Sequence, residues 1–134
     1  HNPAAASYGM EAATELGVDP RRVFKTLVVA LDNRDLAVAV LPVSTQLDLK
    51  RFARAVGSKK VAMAERSAVE RTTGYVLGGV SPVGQRKKLR TVIDTSASQF
   101  NTVYVSAGRR GLEIELSSSV LCSLTDGELQ AISK

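Results

Sequence analysis

Cysteine and histidine are almost absent from the sequence, and their scarcity argues against several kinds of site. Cys122 is the one cysteine and His1 the one histidine. A disulfide needs two cysteines, and structural zinc sites draw most of their ligands from these two residue types. A Ser-His-Asp or Cys-His catalytic arrangement needs a histidine within the fold, whereas His1 stands at the end of the sequence. We therefore expect no disulfide framework, no metal centre and no cofactor.

Long apolar runs are also absent. No stretch approaches the roughly 20 apolar residues that span a membrane, and no basic segment followed by an apolar one opens the sequence. Aromatic residues make up 4% of the chain, too few for the base-stacking platforms of single-strand-binding proteins. With 134 residues, 44% of them hydrophobic, the chain can bury one core. We expect a single domain over residues 1–134 that is soluble and cytoplasmic.

Positive charge exceeds negative charge along the chain. The 18 Lys and Arg residues outnumber the 13 Asp and Glu residues, which gives a net charge of +5 and a pI near 9.7. A basic protein gains affinity for nucleic acid by neutralising phosphates and releasing condensed counterions. The charge therefore favours a partner that carries phosphates, although solubility alone would also account for it.

Hydrophobic spacing and turn residues predict helices and strands that alternate irregularly. The predicted helices cover residues 9–16, 46–56 and 65–73, with a last one capped within 117–119 and running through 124. The predicted strands cover residues 24–31, 36–41, 61–64, 75–77, 91–93, 102–106 and 112–116. Ser44 or Thr45 is the expected cap of the second helix. Hairpins among these strands disfavour a doubly wound parallel sheet, so we expect one mixed α+β domain.

The stretch at residues 73–88, TGYVLGGVSPVGQRKK, is the strongest candidate for a site. Gly78 and Gly79 lack a Cβ, so the backbone there can take a positive φ and let another molecule approach closely. Four positive charges follow this glycine pair, on Arg86, Lys87, Lys88 and Arg90. A ligand with phosphates and a reactive end would suit this arrangement. A corner or hairpin glycine followed by a solvated basic face would give the same pattern.

Lys25 is an anomaly inside an apolar run. It follows Phe24 at the start of the predicted strand at residues 24–31. A lysine in this position must either reach water along its aliphatic stem or meet a negative partner. Both a pocket lysine and an ordinary lysine at a strand edge fit the sequence.

A second glycine-rich turn displays charge. Gly108 and Gly111 flank Arg109 and Arg110 in a turn that follows Ser106. Glycines on both sides of two arginines favour a turn whose charges project into solvent. The turn is a candidate ligand contact, with a plain hairpin and exposed arginines as the alternative.

Five segments together closely resemble the YbaK family: FKTLVV (24–29), KKVAMA (59–64), TGYVLGGVSPVGQRKK (73–88), TVID (91–94) and YVSAGRRGLEIEL (104–116). The matching blocks occur in one order from about Tyr8 to Leu116, which is far more specific than a glycine motif alone. Members are free-standing trans-editing deacylases that remove the wrong amino acid from tRNA, and they are related to the editing domain inserted in bacterial prolyl-tRNA synthetases. In members a further helix and strand, with a pocket tyrosine, precede the position of His1, so we expect material upstream of it.

The resemblance implies an architecture and a role for each candidate residue. The expected fold is a mixed, barrel-like β-sheet surrounded by helices, with a cleft between the strand of Lys25, the glycine-pair loop and the turn after Ser106. Lys25 would be essential and would orient the terminal adenosine or its phosphate. Gly78 and Gly79 would offer backbone N–H groups to the ester carbonyl, and Ser106 would hydrogen-bond the substrate. Further substrate contacts would come from Thr26, Ser81 and Gly108. The acceptor-stem backbone would be followed by Arg86, Lys87, Lys88, Arg109 and Arg110.

Within the family, the block TGYVxGG(I/V)SPxGQ(K/R)K looks most like the branch that prefers cysteine carried by proline tRNA, with cysteine tRNA as a further carrier. There the substrate's own thiol attacks the ester, so the protein holds the substrate and supplies neither nucleophile nor cofactor. The expected partners are the acceptor end of aminoacyl-tRNA and prolyl-tRNA synthetase, with neither DNA nor a membrane. Two alternatives stay open: a sibling that clears alanine from proline tRNA by water attack, and a non-catalytic module that binds tRNA or a synthetase.

Overall fold

The computed structural model describes the backbone of residues 3–134 and the side chains from residue 9 onward. Its helices are α1 (Pro3–Leu16), α2 (Leu49–Val56), α3 (Arg66–Thr73) and α4 (Ser118–Thr125). Its strands are β1 (Phe24–Leu31), β2 (Leu36–Pro42), β3 (Val61–Met63), β4 (Arg90–Asp94), β5 (Val103–Arg109), β6 (Leu112–Leu116) and β7 (Glu128–Gln130). No helix in the described range has the length and apolar character to cross a bilayer. His1, expected to be an ordinary terminal residue, lies outside this range.

A mixed sheet in the strand order β3-β1-β2-β4-β7 forms the centre of the fold. β1 and β2 form an antiparallel hairpin in which Phe24 is opposite Pro42, and β4 and β7 extend the sheet with parallel pairing. β2 is buried over almost its whole length, as its continuous apolar sequence requires. β5 and β6 form a separate antiparallel ribbon. The predicted mixed α+β class is confirmed.

The expected barrel-like closure is not found among the described residues. β3 and β7 stand at opposite ends of the strand order, and an isolated bridge between Val23 and Tyr104 is what pairs the ribbon with the sheet. Each end strand has three residues, which provide few ladder hydrogen bonds for a closing pair. The sheet is therefore open, and an edge of β1 is left accessible.

The two faces of the sheet pack against different elements. Phe52 of α2 covers one face, against Val29, Ala37, Ala39 and Leu41. The ribbon and α4 cover the other face, where Phe24, Val28, Val38 and Val40 pack with Val103, Val105 and Leu121. Because side chains alternate along a strand, Lys25 belongs to the α2 side of β1 and Thr26 to the ribbon side. Both side chains can then reach a cavity that wraps around the strand's edge.

The start of α2 differs from the expectation. Asp48 caps this helix, because its carboxylate accepts a hydrogen bond from the Arg51 N–H at 3.1 Å. Thr45 belongs to the turn after β2, where its hydroxyl donates to the Pro42 carbonyl at 2.8 Å. The predicted cap at Ser44 or Thr45 was therefore wrong, since all of these residue types cap helices well and tertiary packing decides among them.

The segment at residues 75–77 is a loop and not the predicted strand. Gly74 ends α3 in the left-handed region, with φ 82°. Two residues later the chain turns back, and the Gly79 N–H donates to the Val76 carbonyl at 2.9 Å. The end of α3 and this turn leave no room for a strand ladder between them. The side chain of Tyr75 therefore makes a contact of its own, described below, and does not form part of a strand. A strand that the sequence did not predict, β7, pairs with β4 at one end of the sheet.

Candidate active site

An unpaired stretch of the β1 edge forms one wall of a cavity of about 500 Å³. β3 pairs with β1 from Val29 onward, and the ribbon meets the chain at Val23. Between these points the edge has no strand partner among the described residues. At the border the Ala64 N–H donates to the Val28 carbonyl at 3.0 Å. Because backbone groups of alternate residues point to the same side, the N–H and C=O of Thr26 face the cavity.

The cavity brings together residues that are distant in sequence. Of the site residues predicted from the sequence, its lining includes Lys25, Thr26, Gly78, Ser106 and Arg110. The other candidates from the same two loops, Gly79, Ser81, Gly108 and Arg109, are not part of the lining. The three expected walls, namely β1, the glycine-pair loop and the turn between β5 and β6, therefore do meet.

Lys25 is a half-buried cation at this site. Its Nζ donates to the Thr45 carbonyl at 2.5 Å, and it has no acidic partner among the described residues. Burial lowers the pKa of Lys25 from its usual value, because desolvation disfavours the ammonium form. The ammonium has donors left after its bond to Thr45, so it can bind an anionic or carbonyl group in the cavity.

The glycine pair serves two different purposes. Gly78 takes a φ of 94°, a conformation that side-chain-bearing residues rarely adopt. Gly79 lies against the β5–β6 turn so closely that an added Cβ would stand 2.7 Å from Arg109 Cα and 3.1 Å from Arg110 N. The Gly79 N–H already donates to Val76, so it is not available to a ligand carbonyl as expected. Gly78 is the member of the pair that lines the cavity.

Tyr75 joins the same two loops, a role that sequence reasoning missed. Its hydroxyl donates to the Val83 carbonyl at 2.6 Å, which holds residues 75–83 in one closed loop. Its ring lies against Gly108, where an added Cβ would stand 2.9 Å from Tyr75 Cε1. Gly108 also has a φ of 113°. The sequence signal was an aromatic residue placed between Gly74 and the glycine pair.

Two hydroxyl groups line the cavity beside Lys25. Ser106 accepts a hydrogen bond from the Gly108 N–H at 3.2 Å, which fixes its side chain at the start of the turn. Thr26 Oγ1 is buried and has no hydrogen-bond partner. A buried hydroxyl without a partner is uncommon and is satisfied when a ligand supplies the missing group.

Glu113 is a further cavity residue that sequence reasoning did not single out. It lies on β6 directly opposite Ser106 in the ladder and lines the cavity. Burial raises the pKa of Glu113 from its ordinary value to about 7, because the carboxylate is partly desolvated. Perturbed carboxyl groups in clefts are frequent at functional sites.

The predicted tRNA-contacting residues fall into two groups. Arg110 reaches the cavity and pairs with Glu11 of α1 at 2.6 Å, and Arg109 is exposed beside it. Arg86, Lys87 and Lys88 are exposed and are not part of the lining. Lys88 pairs with Asp126 at 2.7 Å, an exposed contact of little energetic weight. Arg86, Lys87 and Lys88 can therefore extend a basic surface beyond the cavity lining.

The described side chains form no cluster that could bind a metal ion. Among the described side chains, no three or more His, Cys, Asp or Glu residues stand together in a way that could hold an ion. Cys122 lies on α4 outside the cavity lining, and burial raises the pKa of its thiol. A partly buried thiol with a raised pKa is a poor nucleophile.

Comparison with known proteins identifies the family. The family model of the aminoacyl-tRNA editing domain matches residues 2–122 of this chain. The chain belongs to the aminoacyl-tRNA editing domain family. The resemblance carried by the FKTLVV, glycine-pair and YVSAGRRGLEIEL segments is thereby confirmed, and so is membership of a family of deacylases that act in translation fidelity.

Relatives of this editing domain occur both as free proteins and within synthetases. The "Putative Cys-tRNA(Pro)/Cys-tRNA(Cys) deacylase EbsC" of Enterococcus faecalis is 43% identical over 120 residues, which cover 90% of this chain and 73% of that protein. A proline–tRNA ligase of Citrifermentans bemidjiense is 34% identical over 97 residues, which cover 72% of this chain and 17% of the ligase. The "Crystal structure of a putative trans-editing enzyme for prolyl tRNA synthetase" superposes with a TM-score of 0.88 at 24% identity, over 98% of this chain and 83% of that one. This last likeness shows that the fold is shared.

The close approach of Gly79 to the arginine turn gives a testable consequence. Gly79→Ala should lower the free energy of unfolding by about 1–3 kcal/mol, because the added methyl group must displace backbone. The amide NMR signals of residues 108–111 should shift as the turn moves. Gly57→Ala is the matched control: its φ of 72° is strained for alanine, but nothing lies within 4 Å of the new Cβ. It should cost about 1 kcal/mol and leave the signals of residues 108–111 in place. Unmoved signals in Gly79→Ala would show that the two loops do not depend on each other.

Proposed function

We propose that the cavity binds the aminoacyl end of tRNA and that the protein is a trans-editing deacylase that removes cysteine from proline tRNA, and from cysteine tRNA as well. The observation that carries this proposal is a cavity with a cation, a backbone N–H and hydroxyl groups, but with neither cysteine nor histidine among its described lining residues. An aminoacyl ester is already activated, so positioning and oxyanion stabilisation can accelerate its loss. The family and the name of the E. faecalis relative support the reaction and the substrate.

Each lining group has a part in the proposed reaction. The Lys25 ammonium orients the terminal adenosine through its phosphate or ribose oxygens. The Gly78 N–H, which has no acceptor among the described residues, faces the oxygen of the ester carbonyl as negative charge develops there. Ser106 hydrogen-bonds the substrate. Gly79 contributes by close packing, because its own N–H is occupied.

The chemistry then uses the substrate's thiol. The cysteine sulfur attacks the ester carbonyl carbon, and a carbon–sulfur bond forms while the bond from that carbon to the ribose oxygen breaks. The thiol proton passes to the ribose oxygen, which leaves as the hydroxyl of free tRNA. The amino acid departs as a cyclic thiolactone. The protein holds the thiol close to the ester carbonyl and disfavours substrate conformers in which the two are apart. Positioning of this kind lowers the barrier to the reaction.

A connection with prolyl-tRNA synthetase belongs to the same proposal. The proline–tRNA ligase relative carries a segment like this chain within a much longer protein. A free-standing protein of this kind would act on tRNA that the synthetase has mischarged, in association with the synthetase or after release. We place the protein with the translation apparatus in the cytoplasm.

The source of the nucleophile can be tested by the choice of amino acid. Cysteine should be released fastest, serine slower by about two orders of magnitude because a hydroxyl is hardly ionised, and alanine close to the uncatalysed rate. Cys122→Ser should leave all three rates unchanged, because Cys122 lies outside the cavity lining. The measurement is release of each amino acid from one proline tRNA, with mass spectrometry of the cysteine product for thiolactone. Equal rates for cysteine and alanine would favour water attack, and inactivity of a folded Cys122→Ser protein would point to a protein nucleophile.

The basic surface outside the cavity can be tested by salt dependence. Neutralising Arg86, Lys87 and Lys88 with glutamine should weaken tRNA binding and reduce the slope of log K against log salt by about 2–3, if each residue contacts one phosphate. The control replaces three other exposed cations, Lys50, Arg54 and Lys60, and so removes the same net charge elsewhere. Binding isotherms at several salt concentrations give both slopes. Equal slopes for the two triple variants would make Arg86, Lys87 and Lys88 ordinary surface residues.

A further inference from the structure

Glu113 is an unpartnered carboxylate at the cavity wall. It is half-buried on β6, opposite Ser106, and has no hydrogen bond or ion pair with any residue whose side chain the structure describes. Other acidic residues nearby are engaged. Glu115, two residues along the same strand, contacts Thr102 and Arg22, and Glu11 pairs with Arg110. Half-buried carboxylates usually accept a hydrogen bond from a donor in the protein. Because Glu113 has no such donor, it is available to a donor from a ligand.

The Thr26 hydroxyl is a second polar group without a partner in the same cavity. Its Oγ1 is buried and has no hydrogen-bond partner, and its residue lines the cavity together with Glu113. Two independent side chains therefore lack a hydrogen-bond partner at one site. A carboxylate needs a donor and favours a cationic one, whereas the hydroxyl can accept from the same donor or donate to another group of the ligand.

The other charges that line the cavity are all positive. They belong to Lys25, Arg66, Arg110 and Lys134, and Glu113 is the one acid among the described lining residues. Lys25 donates to Thr45, Arg66 pairs with Glu70, and Arg110 pairs with Glu11. A phosphate-bearing ligand suits the cations, but Glu113 would repel it. A ligand with both an anionic backbone and a separate cationic group fits the whole set.

We infer that Glu113 binds the α-ammonium group of the aminoacyl ester, with the Thr26 hydroxyl as a second contact, and that the enzyme thereby selects tRNA esters with a free amine over N-acylated and peptidyl esters. This inference rests on the proposed function and adds a specificity to it. An aminoacyl ester carries its ammonium on the carbon next to the ester carbonyl, so an ammonium held at Glu113 fixes the carbonyl nearby. An N-acyl group removes the positive charge and adds bulk at the same point, which leaves the buried carboxylate without a partner.

Protonation of Glu113 gives the selection a pH dependence. With its pKa raised to about 7, Glu113 is partly protonated at neutral pH in the free protein. Preference for the free amine should rise as pH increases through about 7, because the carboxylate becomes charged. It should fall again as the ammonium loses its proton, near the usual α-amino range of about 8. The cations facing the cavity act on both kinds of ester, so their titration cancels in the ratio of the two rates.

The test compares cysteinyl-tRNA with N-acetylcysteinyl-tRNA, each rate divided by its uncatalysed rate. The wild type should favour the free amine by about 10- to 100-fold in kcat/KM, the factor expected for one charged hydrogen bond. Glu113→Gln should bring this ratio close to one through loss of the free-amine rate alone, and should lose the rise of the ratio near pH 7. Glu113→Asp should keep part of the preference. Glu115→Gln is the control, since it removes a carboxylate from the same strand outside the cavity lining, and it should behave as the wild type.

Binding measurements separate this inference from the proposed reaction. The probes are 3′-cysteinylamino-3′-deoxyadenosine, whose amide linkage is stable, and its N-acetyl form. Suppose that neither the wild type nor any variant deacylates cysteinyl-tRNA, but that the wild type binds the free-amine probe more tightly than the N-acetyl probe and Glu113→Gln does not. The proposed reaction then fails and the ammonium site stands. If Glu113→Gln loses activity equally on both esters, or affinity equally for both probes, Glu113 would instead be a general base or a structural residue, and the inference would be overturned. A wild-type ratio near one would overturn it as well.

Discussion

The candidate site depends on a contact between two stretches of backbone, at Gly79 and at Arg109–Arg110. The Cα of Arg109 would lie 2.7 Å from a Cβ at position 79, which is closer than any side chain permits. Glycine therefore allows the loop after α3 to touch the turn between β5 and β6. Tyr75 fastens the same two loops through its hydrogen bond to Val83 and its contact with Gly108. With the loops joined, the unpaired edge of β1 becomes one wall of a cavity.

Charge inside the cavity is divided in a way that matches an aminoacyl ester. Lys25 and the arginines supply positive charge where the anionic tRNA end would lie, and Glu113 supplies the one carboxylate among the described lining residues. Desolvation acts on both kinds of group, since it lowers the pKa of Lys25 and raises that of Glu113. A ligand that brings a counter-charge to each would relieve both costs. The chain thus needs no nucleophile of its own for the proposed reaction, provided that it positions the substrate accurately.

Much of the fold could be predicted because apolar periodicity is strong where elements are buried. β1 was predicted with its observed bounds, and the site walls followed from the family resemblance. The segment at 75–77 was misassigned because Tyr75 and Val76 favour strands locally, whereas their neighbours Gly74 and Gly78 end the helix and turn the chain. Glu113 could not be distinguished from Glu115, since both alternate with apolar residues in LEIEL. Packing alone places the first at the cavity and the second against Thr102 and Arg22.

The central claim is that ester cleavage takes place at the β1 edge, in contact with Lys25. The most direct measurement is single-turnover deacylation of cysteinyl-tRNA(Pro) by Lys25→Ala, beside Lys50→Ala as an exposed lysine of α2 and with unfolding curves for both. The account predicts that Lys25→Ala loses about two orders of magnitude or more in rate while it stays folded, and that Lys50→Ala retains the wild-type rate. A folded Lys25→Ala protein within about twofold of the wild-type rate would contradict the account, because loss of a cation that positions the ester should cost far more.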